Sequence, residues 1–218
     1  MKKKNLSDNF TITAHTGCEK TPQNTIESVK KAFECGADIF EIDINFDKNG
    51  TPVLSHDAPK GGEPTVEEVF RIFSENKKIR CNLDIKKTDN LKAVADLAKK
   101  YDVLDRVFYT GIHEGFVESA KTDTPEIPYY LNLGVMAKRK HTDEYIDSLV
   151  EKVKESGAVG INCNYRNVTP EIVDAFHKNG LLVSIWTIDR KLSMLKFLKM
   201  NPDNITTRKP SVLKKISK

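Results

Sequence analysis

Apolar residues recur along this chain with two periods, and the periods alternate. Short β-type runs fall at 10–15, 39–46, 79–86, 106–110, 127–133, 159–163, 181–187 and 204–206. Amphipathic stretches with helical spacing lie between most of them, and their ends carry stop and start signals. Asn24 with Glu27 and Thr65 with Glu68 have the spacing of capping boxes. Thr169-Pro170 offers an N-cap followed by proline at the first helical position. Gly36 and Asn179-Gly180 stand where helices stop. Eight strands alternating with helices, without a long linker, predict a single-domain α/β chain over 1–218, a (β/α)8 TIM barrel. A doubly wound sheet would need a glycine-rich first turn, and Gly17 followed by Cys18-Glu19-Lys20 does not supply one.

Side chains alternate across a strand, so the same pattern says where they point. In 39–46 the apolar Phe40, Ile42, Ile44 and Phe46 face the helices, which leaves Glu41, Asp43 and Asn45 for the barrel interior. In 79–86, Ile79, Cys81, Leu83 and Ile85 take the outer face, and Asn82, Asp84 and Lys86 the inner one. The first strand likewise aims His15 inward. Three strands therefore send ionisable groups to one place. Unpaired carboxylates are costly to bury, so Glu41, Asp43 and Asp84 require a cation. An all-oxygen donor set suits a divalent cation, Mg²⁺ or Ca²⁺; Lys86 as the counter-charge of a salt bridge satisfies the same requirement.

A hairpin adds a second histidine. Asn49-Gly50 suits a type I′ turn, and with those two residues as the loop His56 folds back beside Asp43. Two imidazoles beside a hard-oxygen metal site suit cleavage of a phosphate ester without a covalent enzyme intermediate. Asp57 either orients the His56 ring or caps the turn.

Composition narrows the setting. The 35 basic and 31 acidic residues nearly cancel, and no basic run is interleaved with aromatics, which argues against nucleic acid as a partner. The opening MKKKNLSDNF is basic but has no apolar core behind it, so it does not read as a signal peptide, and no run reaches membrane-spanning length. Cys18, Cys35, Cys81 and Cys163 fit no zinc spacing. A cytoplasmic protein with reduced cysteines, a small-molecule partner and no membrane insertion is the expectation.

These residues also form a recognisable series. His15-Thr16-Gly17, Pro22-Gln23-Asn24-Thr25, Gly36-Ala37-Asp38, Glu41-Ile42-Asp43, Pro52-Val53, His56-Asp57, Asn82-Leu83-Asp84-Ile85-Lys86, the 180–187 strand ending in Trp186-Thr187, and Ile205-Thr206 with Pro210 follow in order along nearly the whole chain. The series resembles the glycerophosphodiester phosphodiesterase family of metal-dependent TIM barrels. The resemblance implies that Glu41, Asp43 and Asp84 ligate the metal and that His15 and His56 are the acid–base pair. It further implies that Lys86 contacts the phosphate and that Trp186 lines the substrate pocket. The implied reaction, within lipid and glycerol metabolism, releases an alcohol and glycerol 3-phosphate from a small phosphodiester, through attack of the glycerol 2-hydroxyl and a cyclic phosphate. Imidazole suits both proton transfers because its ordinary pKa lies near 6.5.

The chain departs from the family pattern at three positions. Thr16 replaces the arginine that follows the first histidine, leaving one neutral hydroxyl for substrate binding where a guanidinium would bind bidentately. Gln23 replaces a glutamate, and Asp84 a glutamate one methylene longer. Either Arg166 or Arg208, each just past a predicted strand, replaces the lost arginine, or the substrate is a bulkier or cyclic-product one. A phosphodiester-binding barrel with impaired turnover is the non-enzyme alternative. Glycoside hydrolysis fits less well: Glu41 and Asp43 share one strand face, and the two inward histidines would be left unexplained.

Overall fold

One pairing closes the barrel: β1 (Thr11–Ala14) lies parallel to β2 (Ile39–Phe46) on one side and to β9 (Asn204–Thr207) on the other. Between them the parallel order runs through β4 (Arg80–Ile85), β5 (Val107–Ile112), β6 (Tyr129–Asn132), β7 (Gly160–Asn164) and β8 (Leu182–Trp186). The short β3 (Pro52–Leu54) runs antiparallel to the end of β2, outside the cylinder. This computed structural model describes residues 10–218, and most of the basic opening segment, 1–9, lies outside them. Closure removes the sheet edges that a doubly wound fold would keep.

The helices α1 (Ile26–Glu34), α2 (Val66–Glu75), α3 (Leu91–Lys100), α4 (Val117–Asp123), α5 (Asp143–Ser156), α6 (Pro170–Lys178), α7 (Lys191–Leu198) and α8 (Pro210–Ser217) surround the strands. In α2, Val66, Val69, Phe70 and Phe73 share one face, and all four are fully buried. Burial of each such side chain contributes about 1.5–3 kcal/mol. Thr65 and Glu68 close the reciprocal capping box that their spacing predicts. Phe40 on the outer face of β2 meets Phe33 and Phe73 edge-on, at 5.3 and 5.1 Å between ring centroids. Among the described residues no helix is long and apolar enough to cross a membrane.

Two local expectations are corrected. The N-cap of α1 is Thr25, whose hydroxyl accepts the Ser28 N–H at 3.2 Å; Asn24 instead turns its amide onto β2. The hairpin is not a two-residue type I′ turn. Ile44 pairs with Leu54 and Phe46 with Pro52, so the loop holds five residues, 47–51, and Ser55 rather than His56 stands across from Asp43. The reason lies in Asp47, whose carboxylate accepts the N–H groups of Asn49 and Thr51 at 2.8 Å each, while Gly50 alone takes a left-handed φ of 78°.

The lumen is closed at the N-terminal end of the strands, where Phe108 and Tyr130 meet at 5.7 Å and Arg80 lies over the Phe108 ring. Above this plug Asn204 donates to Thr13 at 2.8 Å and accepts from Ser184 at 3.2 Å. Among the described residues, only the C-terminal end of the barrel remains open, the face on which sites form in this fold.

Candidate active site

The period-two pattern of β2 and β4 carries three carboxylates to the open end. Asp43 and Asp84 are register partners, and Glu41 lies one inward position below, beside Asn82. Glu41, Asp43 and Asp84 each present a carboxylate oxygen within 4.8 Å of the others. Glu41 and Asp43 are only 5% and 2% exposed, so water does not neutralise them. Burial, then repulsion from Asp43 and Asp84, pushes the Glu41 pKa well above the ordinary carboxylate value. Asp43 feels the same burial, but Lys86 and the Asn24 amide more than offset it and hold its pKa low.

Each acid is braced. The Thr16 backbone N–H donates to Glu41 Oε2 at 2.7 Å. Asn24 donates to Asp43 Oδ2 at 2.8 Å and accepts the Asp43 N–H at 3.2 Å. The Thr110 hydroxyl lies 2.8 Å from both Asp84 Oδ1 and Asn82 Oδ1. Lys86 bonds to both Asp43, at 2.9 Å, and Asp84. One ammonium therefore stands against three carboxylates, and the charge deficit is centred on Glu41. Such a set of hard, converging oxygens fits a divalent ion. The two readings of the acidic cluster, ion site and salt bridge, thus share the carboxylates of Asp43 and Asp84.

His15 follows β1 and donates from Nδ1 to the Thr16 carbonyl at 2.8 Å, which leaves Nε2 as the acceptor nitrogen. Arg208, just past β9, brings Nη2 to 3.5 Å from that Nε2. Burial lowers the His15 pKa; the Thr16 carbonyl opposes this, and Arg208 adds to it. His56 sits on the loop after β3 with Nδ1 3.0 Å from Asp57 Oδ1. Buried Asn45 holds that loop by donating to the Asp57 carbonyl at 2.9 Å.

His15, Glu41, Asp43, His56, Asp84, Lys86, Trp186 and Arg208 all line one cavity of about 570 Å³. Two expected substrate contacts are not among its walls. Thr16 is 1% exposed: its backbone serves His15 and Glu41, and its hydroxyl accepts the Asn24 N–H at 2.5 Å. Arg166 sits on an exposed turn after β7, tied to the Asn164 side chain through its own N–H. Of the two replacement arginines, the structure brings Arg208 to the cavity. Asp189 holds it there, accepting the Arg208 backbone N–H at 2.7 Å and facing its guanidinium at 3.4 Å. Sequence reasoning missed His113, Phe116, Asn132 and Asn162, which also line the cavity. The two asparagines carried a signal, because both occupy lumen-facing positions, paired in register.

The model of the glycerophosphoryl diester phosphodiesterase family matches residues 15–61 and 58–212. A glycerophosphodiester phosphodiesterase from Caldanaerobacter subterraneus is 28% identical, over 93% of this chain and 95% of its own. An Oleispira antarctica phosphodiesterase, solved with the product sn-glycerol-3-phosphate, shares the fold with a TM-score of 0.78 at 18% identity, over 94% of this chain and 95% of its own. The Thermotoga maritima glycerophosphodiester phosphodiesterase superposes with a TM-score of 0.74 at 20% identity, over 95% and 98% of the two chains. With the family model covering most of the barrel, from His15 to a point beyond Arg208, the chain belongs to the glycerophosphoryl diester phosphodiesterase family and is a phosphoric diester hydrolase.

Proposed function

We propose that the protein cleaves glycerophosphodiesters to glycerol 3-phosphate and an alcohol, with a divalent ion, Mg²⁺ or Ca²⁺, on Glu41, Asp43 and Asp84, and with His15 and His56 exchanging protons. One observation carries this reading: three converging carboxylates and two imidazoles share a single cavity with Lys86 and Arg208. When bound, the ion would polarise the phosphoryl oxygens and offset the charge that develops on them.

The chain's own groups supply the rest. Lys86 and Arg208 attract the phosphate anion, and Arg208 takes the part that Thr16, turned inward, cannot. Depressing the His15 pKa keeps its Nε2 unprotonated near neutral pH, as a general base requires. In this assignment His15 removes the proton of the glycerol 2-hydroxyl as that oxygen bonds to phosphorus. The leaving alcohol's oxygen takes the bonding pair and a proton from His56. The cyclic phosphate is then opened by water with the two roles reversed. His56, whose Nδ1 is engaged by Asp57, takes the acid role.

The test is release of glycerol 3-phosphate from several glycerophosphodiesters, followed by phosphorus NMR with Mg²⁺, Ca²⁺ or a chelator. Loss of turnover in chelator, in Asp84→Asn and in either histidine-to-alanine variant is expected. Full turnover in chelator, or in Asp84→Asn, would overturn the assignment.

A further inference from the structure

A second hollow, of about 290 Å³, borders the cavity and is walled by Asn132, Asn162, Asn164, Trp186 and the segment 133–135. Asn132, Asn162 and Trp186 line both spaces, so the two are neighbours across shared walls. The carboxylates and cations of the cavity, Glu41, Asp43, Asp84, Lys86 and Arg208, stand on or just after β2, β4 and β9, whereas this hollow is built on β6, β7 and β8 and has no ionisable side chain.

The amide orientations in it are fixed by the backbone. Gly111 donates its N–H to Asn132 at 3.0 Å, so that atom must be the oxygen. The same oxygen also accepts from Asn162 Nδ2 at 3.1 Å. The Asn132 nitrogen and the Asn162 oxygen are consequently left with no hydrogen bond to another described residue. The Trp186 Nε1–H, which is buried, has none either. A donor and an acceptor beside Trp186, with no formal charge, match the hydroxyls and apolar C–H groups of a polyol. A quaternary or primary ammonium arm fits poorly. Such cations are held by several aromatic faces or a carboxylate, and every carboxylate lining the cavity belongs to the Glu41, Asp43 and Asp84 set.

We infer that this hollow receives the leaving alcohol and selects an uncharged polyol, such as a cyclitol, a sugar or glycerol, over an amino alcohol. The inference rests on the phosphodiesterase reading above and names its substrate class. It is tested with glycerophosphoinositol, glycerophosphoglycerol and glycerophosphocholine as probes, in Mg²⁺ or Ca²⁺. The polyol esters are expected to show kcat/KM about tenfold or more above the choline ester, since leaving the carboxamides unpaired is costly. Asn162→Leu, close to isosteric, and Asn164→Ala, at an exposed position, should each reduce that preference to about threefold or less.

Equal or faster cleavage of the choline ester, or a preference that survives both substitutions, overturns polyol selection and leaves the phosphodiesterase reading intact. If no ester is cleaved, that reading fails, and calorimetric binding of the same three probes to the unaltered protein decides the inference. Binding of the polyol esters about tenfold tighter sustains it. Equal binding, or tighter binding of the choline ester, overturns it.

Discussion

Lys86 Nζ lies 2.9 Å from Asp43 Oδ1, an oxygen of the same carboxylate that converges with Glu41 and Asp84. The ammonium and the proposed dication thus address one set of acids. Lys86→Met should destabilise the ligand-free protein by about 2–4 kcal/mol, because buried carboxylates lose their counter-charge. Added Mg²⁺ or Ca²⁺ should then raise the Tm of the variant more than that of the parent. Thermal scans with and without the ion check this, and equal increments would dissociate Lys86 from the ion site.

Arg208 faces His15 Nε2 across the cavity, whereas Arg166 lies on an exposed turn outside it. Arg208→Ala should lower kcat/KM by about 10–100-fold by removing a charged donor to phosphate. Arg166→Ala should stay within about twofold, as for a surface substitution away from the site. Steady-state kinetics on one soluble glycerophosphodiester distinguishes the two, and equal losses would refute the assignment of Arg208.

Gly111 has no room for a side chain. A Cβ there would lie 2.3 Å from the Ile85 carbonyl oxygen and 2.9 Å from Asp84 Oδ1, at a φ of 77°. Gly111→Ala is expected to cost about 2–4 kcal/mol from overpacking and left-handed strain together. It should also weaken divalent-ion affinity by displacing Asp84. Chemical denaturation and calorimetric ion titration measure the two effects. Unchanged ion affinity in the folded variant would count against Asp84 as a ligand.

The four thiols should differ in reactivity. Burial pushes Cys163 up to about 12 and raises Cys81 as well, whereas a hydrogen bond from Cys18 lowers the pKa of half-buried Cys35. Thiolate is the reactive form, so iodoacetamide at about pH 8 should label Cys35 first. Peptide mass spectrometry after brief exposure reads the order; early labelling of Cys81 or Cys163 would contradict it.

Much of this site could be read from the sequence because barrel strands keep period two even where both faces are buried. Phe40, Ile42 and Ile44 announce the outer face of β2, so Glu41, Asp43 and Asn45 follow as the inner one. His56 stands one residue beyond the position that the hairpin signal predicts. Asn49-Gly50 alone signals a two-residue loop, while the Asp47 side chain sets the actual loop length. Thr16 occupies the family's arginine position, which points to a substrate contact, and only the neighbouring Asn24 N–H shows that its hydroxyl faces inward. Arg208 could not be separated from Arg166 by periodicity, since both lie beyond strand ends, where the pattern stops. His113 and Phe116 follow β5 in a short turn and carry no periodic signal at all.

The seam where β1 meets β9 joins segments far apart in the chain, with Ala14 paired to Thr207. His15 and Arg208 are the residues immediately after that pair, so this side of the cavity straddles the junction between β1 and β9. A barrel opened at that seam would keep the β2 and β4 acids in register while His15 and Arg208 stood apart. Catalytic competence should therefore emerge only with complete ring closure, and severing that junction would silence the enzyme even with every helix in place.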